Sequence, residues 1–416
     1  MKILLVNPNR YDAPPVPPLG LEYLHGVVSD THHTPLLLDL CFAGNPEQSL
    51  KNAITEFQPD LIGFTIRQID SALYYTNVFF LDEIKTYISI ARSYNIPVVL
   101  GGVGFSIMPS EILSFMGADY GIYGPGEQAF VHLINTLESD GKPDQLINGW
   151  TPFPEKSIRS KRGYIADYKT YLQQEGTIGF RTQIGCTERC FFCVEGNKQL
   201  LFHDPESVAQ ELFYFKNQGY NDFHLCDSEF NINLEHSLHV CHEILSVTGP
   251  VNWSLYMKAE PISPELFDML HKTGASLITL SIDSYKDTRD GFYKLEEFFR
   301  YAHDGGIPVI IDLSVGYPYE YIAHTKEMLD FLATQPVVSV GVNSYYRIYP
   351  YTPLFSTIKE NEDLHPYLIN RESGNDYIYP VFFAWFRYED TVSILPDREK
   401  FRIEGFEKGV NYQRIK

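Results

Sequence analysis

Residues 1–140 alternate between short apolar runs and longer amphipathic stretches. The apolar runs are rich in Val, Ile and Leu, which is typical of strands buried on both faces. They predict strands at 2–7, 34–40, 60–66, 96–101 and 120–123. The amphipathic stretches between them predict helices near 19–29, 46–57, 72–94, 109–116 and 127–139. This alternation predicts a Rossmann-like, doubly wound parallel sheet, which binds ligands at the carboxyl ends of its strands.

A second series of strands and helices follows a polar, proline-punctuated stretch at 149–160. The pattern predicts strands at 177–184, 222–226, 251–256, 277–282, 309–315 and 341–348. It predicts helices at 205–218, 234–246, 263–273, 291–304 and 320–334. The repeat of about 30 residues is the size of one βα unit with its loops. Six units predict an open, partial (β/α)6 barrel, unless residues beyond 350 add further strands.

These patterns divide the chain into an α/β protein of two domains and a short extension. We expect the first domain at 1–145, a linker at 146–175, the partial barrel at 176–354 and the C-terminal extension at 355–416. The extension contains the aromatic segment YIYPVFFAWFRYED. This segment could cap the barrel and line a substrate pocket, or it could simply pack into the core.

Charge and hydropathy narrow the classes of function. The chain has 416 residues and a formal net charge of -20, so a nucleic acid would be repelled by most of its surface. The sequence has no apolar run long enough to cross a bilayer. The N-terminal MKILLVNPNR is too short for a signal peptide and is typical of a buried first strand. We therefore expect a cytoplasmic protein with no membrane span and no nucleic-acid partner.

Three of the six cysteines lie in the stretch GCTERCFFCVEGN, at Cys186, Cys190 and Cys193. Three thiols this close cannot form a disulfide framework, and in a reducing compartment such clustering suggests a metal. Iron–sulfur clusters usually have four cysteine ligands, so three would leave one iron open for substrate or cofactor. A structural zinc site with Cys226 as fourth ligand is the alternative. Cys226 and its neighbour Asp227 would face opposite sides of a strand, so only one can reach the barrel mouth.

Polar residues and glycines follow the other predicted barrel strands at their carboxyl ends. This rim is where the chemistry of βα barrels takes place. The rim residues are Asp227, Ser228, Glu229, Lys258, Asp283, Ser284, Gly316, Pro318 and Arg347.

The CxxxCxxC loop, with Phe192 before its last cysteine, resembles the signature of radical S-adenosylmethionine (SAM) enzymes. The segments PPLGLEYL, PDLIGFTIRQ, VVLGGVGFSIMPSEIL and DYGIYGPGE occur in this order in the first domain. Together they resemble the cobalamin-binding domain that precedes many radical SAM barrels. The DxHxxG motif, which supplies a histidine to cobalt in some cobalamin proteins, is absent, as is common in this branch. The chain is thus identified as similar to the cobalamin (B12)-dependent radical SAM enzymes of class B methylase type.

The resemblance implies three cofactors: a [4Fe–4S] cluster, SAM and cobalamin. Cys186, Cys190 and Cys193 would ligate the cluster. The implied SAM contacts are Phe192, Asp227, Glu229, Lys258, Ser281, Asp283, Val315, Gly316 and Arg347. The implied cobalamin contacts are Pro18, Leu19, Gly20, Arg67, Gln68, Gly101, Gly102, Val103, Gly124, Gly126 and Glu127. The chain departs from the family pattern at Lys258, where arginine is usual, and at Asp283, where glutamate is frequent.

The activity implied is methyl transfer. A 5′-deoxyadenosyl radical would abstract hydrogen, and methylcobalamin would methylate an unactivated carbon of a small molecule or peptide. An electron donor such as flavodoxin or ferredoxin would reduce the cluster. Two alternatives stay open: a radical SAM cyclase or rearrangement enzyme without net methyl transfer, and a non-catalytic cobalamin-binding protein. Neither the residues nor the resemblance selects a general acid or base.

Overall fold

The computed structural model of the chain describes residues 1–11, 14–151, 157–159, 161–196, 198–284, 291–370 and 376–406. The chain divides into two compact units. The first comprises Met1–Ser71 and Phe79–Gly179, and the second comprises Ala72–Val78 and Phe180–Lys416. A seven-residue segment of the N-terminal half is thus part of the second unit.

The first unit contains a fully parallel sheet. Its strands are β1 (Lys2–Asn7), β2 (Thr34–Asp39), β3 (Leu61–Thr65), β4 (Val98–Gly101), β5 (Tyr120–Tyr123) and β6 (Leu146–Asn148). They lie in the order β2-β1-β3-β4-β5-β6. The order turns back at β1, as in doubly wound folds, and the five predicted strands are confirmed. The sixth strand lies in the segment that was expected to be linker.

The helices of this unit carry apolar residues on the face that packs against the sheet. They are α1 (Leu19–Ser29), α2 (Pro46–Phe57), α3 (Leu81–Ser93), α4 (Val103–Ile107), α5 (Pro109–Met116) and α6 (Glu127–Glu138). A short strand, β7 (Ser157–Ile158), and α7 (Tyr168–Gln173) complete the unit. The core includes Ile3, Leu5, Leu21, Val99 and Leu133, all at most 3% exposed.

The helix expected at 72–94 is wrong over its first nine residues, because α3 begins only at Leu81. Residues 72–78 belong to the second unit instead. There Tyr74 stacks on Tyr345, with ring centroids 4.8 Å apart and planes inclined by 4°. Long-range packing of tyrosine rings thus overrides the local amphipathic pattern.

The second unit is built on a parallel sheet of seven strands. They are β8 (Ile178–Phe180), β11 (Asp222–Leu225), β12 (Asn252–Met257), β13 (Ala275–Asp283), β14 (Val309–Ser314), β15 (Ser339–Asn343) and β19 (Phe401–Ile403). They follow one another in chain order across the sheet. The six predicted barrel strands are therefore confirmed in position. The seventh, β19, comes from beyond residue 350 and pairs in parallel with β15.

Short strands outside this sheet shape its rim. β9 (Gln183–Ile184) and β10 (Leu201–His203) pair antiparallel on either side of the cysteine loop. β16 (Tyr346–Arg347), β17 (Leu368–Ile369) and β18 (Phe382–Phe383) form a small antiparallel sheet. The strands predicted at 177–184 and 341–348 are thus each broken into two.

Helices connect the strands of the second unit. They are α8 (Pro205–Asn217), α9 (Leu234–Glu243), α10 (Pro264–Thr273), α11 (Phe292–Asp304), α12 (Ile322–Thr334), α13 (Pro353–Glu360) and α14 (Tyr388–Ile394). The predicted helix at 234–246 changes after α9 into a π-helical turn at Ile244–Thr248. In the parts of the chain that the structure describes, no helix combines the length and apolar character that a membrane span requires.

The aromatic segment of the extension packs mainly into the core. Phe382 and Phe383 are fully buried. Phe383 belongs to a cluster with Tyr317, Tyr346 and Leu354, and the rings of the cysteine loop pack against this cluster. The part of the extension at 371–375 and 407–416 lies outside the described residues.

Candidate functional site

The carboxyl edge of the first sheet gathers the residues expected to bind a corrinoid. They follow β1 (Pro18, Leu19, Gly20), β3 (Arg67, Gln68), β4 (Gly101, Gly102, Val103) and β5 (Gly124, Gly126, Glu127). These four strands are neighbours in the sheet, so their ends meet at one edge. The backbone N–H of Gly104 donates to the carbonyl of Arg67 (3.1 Å), which fixes two of these loops against each other.

The glycines at this edge have two different structural settings. Gly102 has a φ of +100°, and a Cβ there would lie 2.6 Å from the carbonyl oxygen of Ile66. Gly124 has a φ of +81°, and its Cβ would lie 2.4 Å from Nε1 of Trp150. The turns therefore require glycine at both positions. A Cβ on Gly20 would meet no atom within 4 Å, so at this position neither packing nor backbone conformation requires glycine.

A buried ion pair fastens the start of α1 to the segment that follows the sheet. The Glu22 and Arg162 side chains are fully buried, and Arg162 donates from Nε (2.9 Å) and Nη2 (2.7 Å) to the same carboxylate oxygen. The other oxygen accepts from the backbone N–H of Ile165 (3.0 Å) and Ala166 (3.1 Å) and from the Tyr168 hydroxyl. The burial of both ions is therefore compensated by several hydrogen bonds.

The cysteine loop lies between β9 and β10. Cys186 is buried, and Cys190 and Cys193 are half-buried. The backbone N–H of Lys198 donates to the carbonyl of Cys186 (2.8 Å), and that of Cys193 donates to the carbonyl of Cys190 (3.2 Å). These bonds close the loop on itself. Burial raises the pKa of Cys186 to about 11, so this thiol ionises only with a cation beside it.

The sulfur positions help to separate the two kinds of metal site. Sulfurs around one tetrahedral zinc lie about 3.8 Å apart, given Zn–S bonds of about 2.3 Å. Within the described residues, the one group of three metal-ligating atoms that approach one another within 4.8 Å is His32, His33 and Glu138, and the cysteines form no such group. Cys226 is exposed. The three cysteine sulfurs therefore do not all lie within 4.8 Å of one another, which a polynuclear iron–sulfur cluster allows because its ligands bind different irons.

Lys258 lies at the centre of the rim. Its Nζ is 3.8 Å from Sγ of Cys190, 3.9 Å from Oε1 of Glu229 and 3.9 Å from Oδ2 of Asp283. Burial by itself lowers the pKa of Lys258, but the carboxylates of Asp283 and Glu229 outweigh it and the net pKa is raised. Burial raises the pKa of Glu229 to about 7, although Lys258 opposes this shift.

Four other predicted SAM contacts lie on neighbouring strand ends or in the cysteine loop. The Ser281 hydroxyl forms a hydrogen bond with Glu229. Val315 is buried and accepts from the Tyr346 hydroxyl through its carbonyl (2.7 Å). The Gly316 N–H donates to Glu320 (2.7 Å), which holds the turn after β14. Phe192 packs on Tyr346, with ring centroids 5.3 Å apart.

Asp227 and Arg347 hold structure around the rim. The carboxylate of Asp227 is buried and accepts from the backbone N–H of Thr182 (2.8 Å) and of Gln183 (3.2 Å) and from the Thr182 hydroxyl. It thus fixes the chain that leads into the cysteine loop. Arg347 is 5% exposed and donates to the carbonyls of Tyr377 (2.8 Å) and Ile378 (2.9 Å). It thus joins the extension to β16, which lies within the predicted sixth barrel strand (341–348).

Sequence reasoning missed two residues of this constellation. The Tyr317 hydroxyl donates to Asp283 (3.1 Å), and burial raises its pKa. Asn231 is fully buried; its side chain accepts from the backbone N–H of Lys258 (3.0 Å) and donates to the carbonyls of Lys258 and Pro261 (both 2.8 Å). Tyr317 lies between the predicted rim residues Gly316 and Pro318, and its position after a strand end was the available signal. No local pattern marks Asn231.

Comparison with protein families matches both units. The sequence profile of the B12 binding domain matches residues 12–134, and that of the radical SAM superfamily matches residues 180–332. The order of the two domains agrees with the order of the two units along the chain.

Two curated relatives match most of the chain. Tryptophan 2-C-methyltransferase from Streptomyces laurentii is 24% identical over 87% of this chain and 75% of its own length. The anaerobic magnesium-protoporphyrin IX monomethyl ester cyclase from Cereibacter sphaeroides is 23% identical over 92% of this chain and 66% of its own length.

Among solved structures, the fold is similar to that of the radical SAM methyltransferase TsrM from Kitasatospora setae with cobalamin and a [4Fe–4S] cluster bound. The TM-score is 0.84 at 22% identity, over 96% of this chain and 92% of that one. The cobalamin-dependent radical enzyme OxsB has a TM-score of 0.70 at 16% identity, over 92% of this chain and 64% of that one.

Proposed function

Because the chain belongs to the radical SAM enzymes that carry a B12-binding domain, we propose that it is a cobalamin-dependent methyltransferase acting on a carbon of a small molecule or peptide. The observation that carries this proposal is the three-cysteine loop beside the charged rim, in a chain whose other unit has a B12-binding fold. The relative named for methylation of tryptophan at carbon 2 supports it.

The residues of the second unit fit a [4Fe–4S] cluster and SAM. Cys186, Cys190 and Cys193 would hold the cluster, and the open iron would take SAM. Lys258 and Glu229 offer one cation and one anion beside Cys190, which suits a ligand that carries both an amino and a carboxylate group. Asn231 and Asp227 keep the backbone around these residues in place.

The carboxyl edge of the first sheet fits cobalamin. Gly102 and Gly124 permit the tight turns, and the exposed Gly20 brings no side chain to this edge. The exposed Arg67 guanidinium, which donates to Gln68 (3.1 Å), would contact a bound corrinoid as a hydrogen-bond donor and not as a ligand of cobalt. When bound, the cluster supplies one electron to SAM and cobalamin carries the methyl group.

The second candidate is a radical cyclase without net methyl transfer, which the cyclase relative supports. The two candidates differ in the fate of the SAM methyl group. In the methyltransferase, methyl-deuterated SAM labels the product and S-adenosylhomocysteine accumulates. In the cyclase, 5′-deoxyadenosine forms and the product carries no label.

The decisive experiment is anaerobic reconstitution with iron, sulfide and hydroxocobalamin, followed by measurement of bound corrinoid and iron per chain. We expect about one corrinoid and about four irons. Assay with methyl-deuterated SAM and candidate substrates, with tryptophan and other indoles first, then reads out label, S-adenosylhomocysteine and 5′-deoxyadenosine. A cluster without corrinoid would overturn the methyltransferase proposal. The variant with all three cysteines replaced by alanine is the control and should bind corrinoid but no cluster.

A further inference from the structure

A partly buried cation, Lys258, lies against one ligand of the proposed cluster. Lys258 follows β12, and its Nζ is 3.8 Å from Sγ of Cys190. The Lys258 side chain is 18% exposed, so water screens this charge only weakly. The backbone of Lys258 is fixed by Asn231, whose side chain accepts from the N–H of Lys258 and donates to its carbonyl.

Two carboxylates near Lys258 partly offset the effect of its positive charge on the cluster. Glu229 and Asp283 are each 3.9 Å from Nζ, on residues that are 7% and 5% exposed. Asp283 is further engaged by the Tyr317 hydroxyl, and the second oxygen of Glu229 makes no hydrogen bond. Without the cation, two buried carboxylates would face the thiolates of the cysteine loop.

We propose that Lys258 is a positioning residue that raises the reduction potential of the [4Fe–4S] cluster through its charge beside Cys190, with Glu229 acting in the opposite direction. This inference rests on the proposed function, because it requires the cluster. A cluster gains one negative charge on reduction, so a nearby cation favours the reduced state and a nearby anion disfavours it. The lysine thus makes one-electron reduction easier for a low-potential donor.

The test is redox titration of the reconstituted holoenzyme without SAM, monitored by the electron paramagnetic resonance of the reduced cluster. Lys258→Met removes the charge and keeps the length of the side chain. We expect its ratio of reduced to oxidised cluster at a fixed potential to fall by at least about tenfold, which is ~59 mV for a one-electron couple. Lys258→Arg keeps the charge and should stay close to the wild type.

Two further variants keep the test decisive. At pH 8, above the pKa of about 7 that burial gives Glu229, Glu229→Gln removes the opposing charge and should shift the potential upward, which checks the idea even where Lys258→Met loads poorly. Lys272→Met is the matched control, since Lys272 is exposed on α10 and pairs with Asp268 on the surface. Its potential should equal that of the wild type.

The iron content distinguishes a failure of the proposed function from a failure of the proposed role of Lys258. A wild-type protein that takes up no cluster contradicts the proposed function itself. A loaded cluster whose potential is the same in Lys258→Met, Lys258→Arg and Glu229→Gln leaves the proposed function standing and overturns the role of Lys258. A downward shift in Lys258→Met that Lys258→Arg does not restore would assign the effect to packing and would also overturn it.

Discussion

Replacing Arg162 by methionine removes the cation from the buried pair that joins α1 to the chain after the sheet. The side chains of Glu22 and Arg162 are both fully buried, so neither ion can turn to water when its partner is lost. Removing one member of such a pair costs about 3–5 kcal/mol. In Arg162→Met, Glu22 keeps its bonds from Ile165, Ala166 and Tyr168, so we expect a value at the lower end.

The reverse change should cost more. In Glu22→Gln the guanidinium of Arg162 stays buried but loses its charged acceptor, while its bond to the carbonyl of Gly179 (2.7 Å) is kept. The two N–H groups of Ile165 and Ala166 also lose a charged acceptor. We therefore expect about 5 kcal/mol. The double variant Glu22→Leu with Arg162→Met removes both charges and should be more stable than Glu22→Gln.

The measurement is hydrogen exchange of the peptides that cover 19–29 and 161–168, followed by mass spectrometry. A loss of about 3–5 kcal/mol raises local exchange roughly 10²–10³-fold or more, while peptides of β13 should exchange as in the wild type. Lys161→Met is the matched control, since Lys161 forms an exposed pair with Asp30, and exposed pairs contribute about 0–1 kcal/mol. Equal protection in Arg162→Met and Lys161→Met would refute the reasoning.

Three further predictions concern the two sites. Because burial raises the pKa of Glu229 to about 7, the folded protein binds a proton there that the unfolded chain has released. Between pH 6 and pH 8 the unfolding free energy of the apoprotein should therefore fall by about 1 kcal/mol more in the wild type than in Glu229→Gln, as urea titrations would show. Gly102→Ala should destabilise the first unit and weaken corrinoid binding, because its Cβ would clash with the carbonyl of Ile66. Gly20→Ala should leave the thermal stability unchanged or slightly raised. Equal melting temperatures for the two variants would contradict this. Asp227→Ala leaves two buried backbone N–H groups without their acceptor, at a cost of about 1–3 kcal/mol each. The iron content after gel filtration should therefore drop, and Asp227→Asn should retain more iron. Full iron retention in Asp227→Ala would count against a positioning role.

Much of the fold follows from local pattern. Strands such as β1 and β5 begin and end where the apolar runs do, because a strand buried on both faces needs a continuous apolar sequence. The strand β19 escaped prediction since three residues carry no period. The start of α3 was wrong because Tyr74 finds its partner in Tyr345, far along the chain.

The candidate site could be predicted in its ligands but not in its electrostatics. The spacing of Cys186, Cys190 and Cys193 is a local signal. The predicted strand ends indicated that Lys258 and Glu229 lie on the rim. The approach of Lys258 to Cys190 depends on how two distant loops fold, and no spacing reveals it. Likewise no spacing reveals that Arg347, whose contact with SAM stays a prediction, donates to carbonyls of the extension. The Glu22–Arg162 pair was missed because a single acid in an amphipathic helix usually faces water.

The segment Ala72–Val78 has a consequence for how the protein is made. Tyr75 contacts Phe406, with ring centroids 3.7 Å apart, and Tyr74 contacts Tyr345 and Phe382. These partners leave the ribosome long after residues 72–78, roughly 15–65 s later at translation rates of about 5–20 residues per second. During that interval the tyrosines of this segment have no aromatic partners from the C-terminal part of the chain. These ring contacts can therefore form only after the C-terminal part of the chain has been made, and a cut between Gly179 and Phe180 would separate the tyrosines from their partners.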